Sequence, residues 1–305
     1  MTAPTENRPG QGDSTYEEFT NQPFYVDVNR TTISLAPPSQ RVIDVATGTG
    51  AIITQLLEQN KLLPGFEVHG YDTDSAALGT ARKKFSDYSG QIFFEEAFAE
   101  NLQQEPAGEA DLVTFCNAIH LTDPITSFQE AARVLKPGRP LILNSAYTND
   151  LAYPSGSRRT WGIMVSLAKR IAHDKYGLEE SKDHPSQDIL KYSSEDYKRL
   201  AEEAGFTNIS IGRINVRMTQ EDLEAICRYK EFTEGALPGI DYDIARDCLL
   251  EAVPEMLARR KETDSITRGW MVMYAFKTSD SEMDELPNPE EKRDQISLSD
   301  ARSIY

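Results

Sequence analysis

A glycine-rich stretch, VIDVATGTGAI at residues 42–52, has the residue types and spacing of a ligand-binding turn. Apolar residues lead into a turn that contains Gly48 and Gly50, and further apolar residues follow at helical spacing. Glycines let the backbone approach a ligand closely, and the helix that follows offers unpaired N–H groups at its N-terminus. The stretch therefore predicts a strand–turn–helix unit that binds a nucleotide-like cofactor.

Two common phosphate-binding signatures are incomplete in this stretch. A dinucleotide loop has the pattern G-x-G-x-x-G, whose third glycine allows close packing of the helix, but Ile53 occupies that position. A P-loop places Lys directly after its last glycine, whereas Ala51 follows Gly50 here. Asp44, four residues before Gly48, adds a carboxylate instead. An acidic turn suits a ligand with a cationic end better than it suits a phosphate.

A second carboxylate follows at a spacing typical of ribose binding. Asp72 ends the next apolar stretch, about 20 residues beyond the glycine turn, and Thr73 comes directly after it. A carboxylate at this place can accept hydrogen bonds from two ribose hydroxyls. Asp74 is the better N-cap for a helix that starts at Ser75, so we expect Asp72 to be available to a ligand.

Short apolar runs alternate with helical patterns along most of the chain. We predict strands at residues 42–45, 66–71, 91–95, 110–116, 137–147, 208–216 and 269–277. Two further helical patterns, at residues 220–234 and 242–261, precede the last strand. Strands that are apolar throughout and alternate with helices indicate an α/β fold. The expected architecture is a doubly wound, mostly parallel, seven-stranded sheet with helices on both faces.

The composition divides the chain into a central domain and two polar ends. Residues 1–14 are polar and contain Pro and Gly, which predicts a disordered N-terminus. Residues 15–278 form the predicted domain, within which we expect residues 15–36 to be a helical lid and residues 149–192 a helical cap. Residues 279–305 are predicted to be an acidic tail.

The charge and the apolar content limit the partners that we expect. The 305 residues carry a formal net charge of -17, which opposes binding to nucleic acid or to an anionic membrane. The chain lacks an apolar run near the roughly 18 residues of a membrane span, and its first residues lack the apolar segment of a signal peptide. We therefore expect a cytoplasmic protein, with homodimer formation left open. The cysteines and histidines are scattered, so no metal site is expected.

Four motifs follow one another in order: VIDVATGTG, GYDTD, CNAIH and VLKPGRPL. In this order the chain resembles the class I S-adenosylmethionine (SAM)-dependent methyltransferases over residues 41–146, and more loosely as far as Lys277. The resemblance implies a Rossmann-like fold, SAM as cofactor and S-adenosylhomocysteine as product. SAM carries an ammonium and a sulfonium but no phosphate, which agrees with an acidic turn that lacks both phosphate-binding signatures.

The resemblance also implies which residues hold the cofactor. In this family the first acidic residue and the glycine turn bind the amino-acid end of SAM, and the second carboxylate binds the ribose. The cofactor-binding residues implied are Asp44, Ala46, Gly48, Gly50, Asp72, Thr73, Phe98, Ala99, Asn117 and Ala118. The family usually has a GDA triplet near the adenine amino group, where this chain has AFA at residues 97–99. Whether Phe98 packs against adenine or Glu100 replaces the missing carboxylate stays open.

Three residues are candidates for catalysis: His120, Tyr25 and Tyr16. His120 follows the fourth predicted strand, at the edge where α/β sheets open onto a ligand crevice. A neutral imidazole there could accept a proton near pH 7, and the alternative is a histidine that only orients the loop. Tyr25 and Tyr16 belong to the predicted lid, which in this family often folds over the cofactor and shapes the acceptor pocket.

Together these features predict transfer of a methyl group to a small organic acceptor by in-line displacement. An enclosed apolar pocket under a helical cap suits an aromatic or apolar, natural-product-like acceptor. The alternatives are an NAD(P)-dependent oxidoreductase and a SAM-binding regulatory protein that transfers no methyl group. The missing third glycine disfavours the first alternative, and the AFA triplet keeps the second one open.

Overall fold

The computed structural model describes residues 14–154, 157–179, 181, 190–259 and 266–278. The chain forms two compact units: the first consists of residues 1–25, 153–188 and 217–268, and the second of residues 26–152, 189–216 and 269–305. The predicted acidic tail, and the predicted disordered N-terminus as far as residue 13, lie outside the described residues. The predicted division into one domain with a lid and a cap stays a prediction.

The second unit is built on a seven-stranded sheet with the strand order β3-β2-β1-β4-β5-β7-β6. The strands are β1 (Ser39–Val45), β2 (Leu62–Asp72), β3 (Ile92–Glu96), β4 (Leu112–Cys116), β5 (Pro140–Ser145), β6 (Phe206–Arg217) and β7 (Thr267–Lys277). Strand β1 pairs in parallel with β2 and β4, β2 with β3, and β4 with β5, whereas β7 runs antiparallel to β5. The predicted seven-stranded, mostly parallel sheet is confirmed.

Helices cover both faces of this sheet. Successive side chains of a strand point to opposite faces, and both faces of this sheet carry apolar side chains that pack against helices. The helices of the chain are α1 (Ser14–Thr20), α2 (Pro23–Ser34), α3 (Ala51–Glu58), α4 (Ser75–Lys84), α5 (Pro124–Val134), α6 (Ser157–Tyr176), α7 (Ser194–Glu203), α8 (Gln220–Arg228), α9 (Lys230–Ala236) and α10 (Tyr242–Arg259). Val42 and Ile142 belong to the face that packs against α3, α4 and the second half of α2. Ile43 and Leu143 belong to the face that packs against α5 and α7.

Helices next to the sheet begin at capping residues that the sequence shows. The Asp74 carboxylate accepts hydrogen bonds from the backbone N–H groups of Ala76 (2.8 Å) and Ala77 (3.2 Å), which confirms Asp74 as the N-cap of α4. Ser193 and Asp196 form a reciprocal capping box at the start of α7. Such caps satisfy N–H groups that have no partner within the helix.

A buried ionic cluster lies on the side of β2 that faces α5 and α7. The Glu105 carboxylate, of which only 1% is exposed, accepts hydrogen bonds from Arg41 (2.7 Å), His69 (2.8 Å) and Tyr71 (2.7 Å). Burial alone would raise the pKa of Glu105, but the hydrogen bonds from His69, Tyr71 and Arg41 outweigh it and lower that pKa to about 2. A buried carboxylate with this many donors stays ionised and fixes the strand side chains around it.

The first unit is helical, and α6 packs against α10 within it. Arg170 pairs with Glu255 at 2.7 Å and Lys175 with Glu251 at 2.5 Å, between side chains that are a third to a half exposed. Exposed pairs of this kind contribute only ~0.2–1 kcal/mol each. Most of the packing free energy therefore comes from the buried side chains of the two helices, which include Trp161, Met164, Leu167, Leu249 and Met256.

The prediction of a single helix at residues 220–234 is wrong, because the structure has two helices there. Helix α8 ends at Arg228 and α9 begins at Lys230, because the backbone of Tyr229 between them is extended, with φ of -75° and ψ of 117°. The hydroxyl of Thr233 donates to the Cys227 carbonyl at 2.8 Å, which satisfies a carbonyl at the end of α8.

Among the helices of the described ranges, none has the length and apolar content needed to cross a membrane.

Candidate functional site

The strand order places a crevice at the carboxyl edge of the sheet. Strand β2 lies on one side of β1 and β4 on the other. The strands that follow β1 first extend the sheet on the β2 side, as far as β3, and the later strands extend it on the β4 side. Loops on the two sides of such a point diverge, and ligands of α/β sheets bind between them. The glycine turn after Val45 and the turn after Cys116 both lie at this edge.

The glycine turn depends on glycine at position 50 for two reasons. Gly48 and Gly50 have φ of 53° and 80°, in the left-handed region that disfavours residues with a β-carbon. A β-carbon on Gly50 would also lie 2.3 Å from Cε2 of Phe85. The N–H of Gly50 closes the turn on the Thr47 carbonyl at 2.8 Å. Ala46, another predicted cofactor residue, enters the turn with φ of 53°.

The carboxylate of Asp72 joins β2 to the glycine turn. Its Oδ2 accepts the N–H of Gly48 at 2.7 Å and its Oδ1 accepts the N–H of Asp74 at 2.9 Å. Burial raises the pKa of Asp72, and these hydrogen bonds oppose that effect. A carboxylate offers about four acceptor positions. The half-buried Asp72 can therefore accept further hydrogen bonds from a ligand, next to the half-buried Thr73.

Asp44 lies beneath the turn. Its side chain is completely buried, its Oδ2 accepts the hydroxyl of Thr47 at 2.6 Å, and its Oδ1 accepts the hydroxyl of Thr114 at 2.7 Å. Burial raises the pKa of Asp44 to about 6, although both hydroxyl hydrogen bonds act to lower it. Asp44 thus holds Thr47 within the turn, and its predicted direct contact with the cofactor stays a prediction.

The turn after β4 is fixed to the end of β5 by Asn117. The N–H of Asn117 donates to the carbonyl of Asn144 at 2.7 Å, and its Oδ1 accepts the N–H of Ala146 at 3.0 Å. Asn117 has φ of 53°, a conformation that asparagine tolerates better than most residues. Ala118 follows and is half-buried. The side chain of Asn117 therefore sets the distance between two loops of the crevice.

His120 lies in a short 3₁₀ turn, Ile119–Leu121, directly after this fixed point. Its imidazole packs against the ring of Tyr147, with ring centroids 4.0 Å apart and planes inclined by 32°. Both side chains are half-buried. The structure thus brings the predicted base next to an aromatic residue that follows β5, and the pair presents an aromatic surface with one titratable group.

The third part of the crevice is the loop after β3. The N–H of Ala97 donates to the Asp72 carbonyl at 3.0 Å, so this loop starts beside the predicted ribose carboxylate. Phe98 is 49% exposed, which is unusual for a large apolar ring, and Ala99 is half-buried. The Glu100 carboxylate accepts the N–H of Asp123 at 2.9 Å. An exposed ring at this place favours packing of Phe98 against a flat ligand group.

The middle of the second unit is similar in sequence to known proteins. Residues 42–138 match a family described as methyltransferase domain. A ubiquinone biosynthesis O-methyltransferase from Aromatoleum aromaticum is 29% identical over 115 residues, which are 37% of this chain and 47% of that protein. A ubiquinone/menaquinone biosynthesis C-methyltransferase from Rhizobium rhizogenes is 29% identical over 183 residues, 57% of this chain and 67% of that protein. Over this part of its length the chain is therefore similar to the class I SAM-dependent methyltransferases.

The solved structures agree with this methyltransferase fold. The phosphoethanolamine N-methyltransferase 2 of Haemonchus contortus superimposes with a TM-score of 0.52 and 18% sequence identity. The superposition covers 87% of this chain and 56% of that one, so it shows the fold. The chain spans about half the length of the ubiquinone biosynthesis O-methyltransferases that it matches, at 47% and 54%.

SAM, the cofactor of this methyltransferase family, fits the chemistry of the crevice. The acidic pair, Asp44 and Asp72, is complementary in charge to the ammonium and sulfonium groups of SAM. The free acceptor positions of Asp72 suit ribose hydroxyls, and the exposed ring of Phe98 suits adenine. Within the described ranges, no group of three or more His, Cys, Asp and Glu residues could hold a metal ion.

The two tyrosines proposed as second candidates for a base belong to the first unit of the chain. The Tyr25 side chain is 4% exposed and packs edge-on against Phe19, with ring centroids 5.1 Å apart. Tyr16 lies in α1, and its side chain is outside the described part of the structure. Catalytic roles for Tyr25 and Tyr16 stay predictions.

Sequence reasoning missed a buried polar group next to the crevice. Asn144, near the end of β5, is completely buried, and its amide donates to Asn29 at 3.2 Å and to Thr32 at 3.0 Å. These bonds attach the second half of α2 to the strand that precedes Tyr147. The signal was present as a lone Asn in the apolar run LILNS. Its importance shows only when the polar residues of α2 are known to face it.

Proposed function

We propose that this chain transfers a methyl group from SAM to a small organic acceptor by in-line displacement. The observation that carries the proposal is the hydrogen bond from the Gly48 N–H to the Asp72 carboxylate, at the point where the strand order diverges. It joins the two elements that hold the amino-acid and ribose parts of SAM in this family. When bound, SAM supplies an activated methyl group, and the chain mainly supplies position and exclusion of water.

The proposed cofactor residues lie at or just after the carboxyl ends of β1, β2, β3 and β4 in the second unit. They are Asp44, Ala46, Gly48, Gly50, Asp72, Thr73, Phe98, Ala99, Asn117 and Ala118. Asp44 acts through Thr47, because its carboxylate is buried below the turn. Asp72 accepts hydrogen bonds from the ribose hydroxyls while it keeps the hydrogen bond from the Gly48 N–H.

His120 is the proposed general base for an acceptor that must lose a proton. The half-buried imidazole has a ring nitrogen that can accept that proton. With SAM bound, its sulfonium would supply the methyl group to the nucleophilic atom of the acceptor and keep the electron pair, and His120 would take the proton that the acceptor loses. Tyr25 and Tyr16 are the second candidates for the same task.

The acceptor that we propose is aromatic or apolar and natural-product-like. Tyr147 and His120 form an aromatic surface beside the turn that follows β4, and flat rings pack well on such a surface. The names of two relatives place them in ubiquinone biosynthesis, which directs the first trials to phenolic and quinol rings. The net charge of -17 supports a small molecule rather than a nucleic acid as the acceptor.

Titration calorimetry with SAM and with NAD tests the cofactor. We expect binding of SAM, no binding of NAD, and a clear loss of SAM affinity in Asp72→Ala. The exposed Asp87→Ala is the matched control, because Asp87 lies on the surface after α4. Binding of NAD without SAM would overturn the proposal in favour of an oxidoreductase.

Mass spectrometry tests the transfer itself. Phenols, quinols and amines are incubated with SAM and the protein, and products heavier by one methyl group are sought together with S-adenosylhomocysteine. Phenol or quinol products with matching amounts of S-adenosylhomocysteine support the proposal. SAM binding without a methylated product across the whole panel would favour the regulatory protein that binds SAM and transfers nothing.

A further inference from the structure

The loop after β3 is attached to α5 and its N-cap by three hydrogen bonds, one of which runs from the Arg133 guanidinium to the Leu102 carbonyl at 2.8 Å. We call residues 97–102 the Phe98 loop. Oε1 of Glu100 accepts the N–H of Asp123 at 2.9 Å, and the N–H of Leu102 donates to Oε2 of Glu130 at 2.9 Å. Because a helix is stiff over a few turns, these bonds hold the Phe98 loop along α5 from its N-cap to Glu130 and beyond.

Helix α5 begins directly after the turn that carries His120. We call residues 117–123 the His120 turn, of which Asp123 is the last residue and the N-cap of α5. In a capping box the N–H of the N-cap is bound by an acidic side chain at the third helical position, as Asp196 does in α7. That position in α5 is Thr126, and Glu100 provides the acceptor from 23 residues earlier.

We propose that Glu100 is a positioning residue for methyl transfer, which fixes the His120 turn relative to the Phe98 loop. The inference rests on the proposed function, in which Phe98 lies on the adenine side and His120 on the acceptor side. Glu100 is two residues from Phe98, and Asp123 is three residues from His120. Cofactor contacts with the Phe98 loop therefore also fix the position of the imidazole.

This assignment separates two roles for Glu100. A carboxylate that binds adenine would govern SAM affinity, whereas one that binds Asp123 governs the position of His120. The bond length of 2.9 Å, from a half-buried Glu100 to the N–H of the exposed Asp123, favours the second role. The oxygen of a glutamine side chain can also accept the Asp123 N–H, so Glu100→Gln should keep the link that Glu100→Ala removes.

The kinetic test compares Glu100→Ala, Glu100→Gln and the control Glu109→Ala. Glu109 is an exposed carboxylate of the same unit, before β4. We expect turnover to fall ~10-fold in Glu100→Ala with little change in SAM affinity, because a small displacement of a reacting group is costly. Glu100→Gln should recover most of the turnover, and Glu109→Ala should behave as the wild type.

Hydrogen exchange tests the link without any acceptor. In the wild type, SAM should slow amide exchange in both the Phe98 loop and the His120 turn. In Glu100→Ala the protection should remain in the Phe98 loop and be lost from the His120 turn, and the Asp123 amide should exchange faster even without SAM. A residue that served only overall stability would change the melting temperature and not this pattern.

Two results would overturn the inference. A loss of SAM affinity in Glu100→Ala with normal turnover would assign Glu100 to the adenine instead. Equal protection of the His120 turn in all variants would show that the loops are not linked through Glu100. Failure of the wild type to bind SAM would overturn the proposed function and the cofactor coupling, while faster exchange of the Asp123 amide in Glu100→Ala would still establish the bond.

Discussion

Oδ1 of Asn117 accepts a hydrogen bond from the backbone N–H of Ala146 at 3.0 Å, across the ends of two neighbouring parallel strands. The same residue has φ of 53° and donates its own N–H to Asn144. One asparagine thus provides both the left-handed backbone of the turn after β4 and the acceptor for the loop after β5. The distance between the His120 turn and Tyr147 depends on this residue.

Asn117→Ala should destabilise the fold more than a left-handed backbone alone explains. The variant loses a hydrogen bond and leaves the Ala146 N–H without that acceptor, so we expect a loss of ~2–3 kcal/mol in the free energy of unfolding. Asn208→Ala is the control, because Asn208 is exposed and has a similar φ of 50°. Urea unfolding of both variants measures the difference, and equal losses would assign no stability to the bond with Ala146.

Gly50→Ala should destabilise the protein and weaken SAM binding. Its β-carbon would lie 2.3 Å from the ring of Phe85, in addition to the strain of φ 80°. Gly108→Ala has a comparable φ of 71° and open space around the added atom. We expect ~1 kcal/mol of destabilisation for Gly108→Ala and ~1–3 kcal/mol more for Gly50→Ala. Thermal unfolding and SAM titration compare the two, and a normal SAM affinity in Gly50→Ala would contradict the assigned turn.

Asp44→Asn should change how stability depends on pH. Burial raises the pKa of Asp44 to about 6 from an ordinary value of 3.8, so the folded protein holds a proton that the unfolded chain releases between these values. Wild-type stability therefore falls as the pH rises through this window, by up to about 3 kcal/mol. Asp44→Asn lacks this contribution, and its stability relative to wild type should rise between pH 4 and pH 7. Parallel urea curves for the two proteins at every pH would contradict the buried carboxyl.

Glu105→Gln should show a pH effect of the opposite sign. The hydrogen bonds from His69, Tyr71 and Arg41 outweigh burial and hold the Glu105 pKa at about 2, below its ordinary value of 4.5. The stabilisation of about 3 kcal/mol is complete above pH 4.5 and is lost as the pH falls towards 2. Glu105→Gln should therefore be destabilised at pH 7, and this difference from wild type should shrink at pH 3. The exposed Glu109→Gln provides the control in the same unfolding series.

His120→Ala should reduce turnover while SAM affinity changes little. Removal of a general base lowers the rate ~10²–10⁴-fold, and the imidazole is placed on the acceptor side in our proposal. His173→Ala is the control, because His173 is an exposed residue of α6. Steady-state kinetics with the best acceptor measure the effect, and unchanged turnover would leave His120 as the packing partner of Tyr147.

Local features of the sequence predicted the parts of the fold that are local in structure. The glycine turn, its flanking strand and helix, and the Asp74 cap each occupy a few consecutive residues, so their signals are contiguous. The hydrogen bonds of Asn117 and Glu100 join loops that are 29 and 23 residues apart, and their partners follow only from the packed sheet. The break at Tyr229 was missed because it interrupts a helical pattern without Gly or Pro.

The position of β7 has a consequence for synthesis of the chain. Strand β5 ends at Ser145, but its second neighbour in the sheet is β7, which begins at Thr267. During translation the outer edge of β5 therefore stays unpaired until more than a hundred further residues have left the ribosome. Unpaired strand edges invite association with other chains. The nascent chain thus keeps one unpaired edge of β5, open to pairing with other strands, until β7 is inserted.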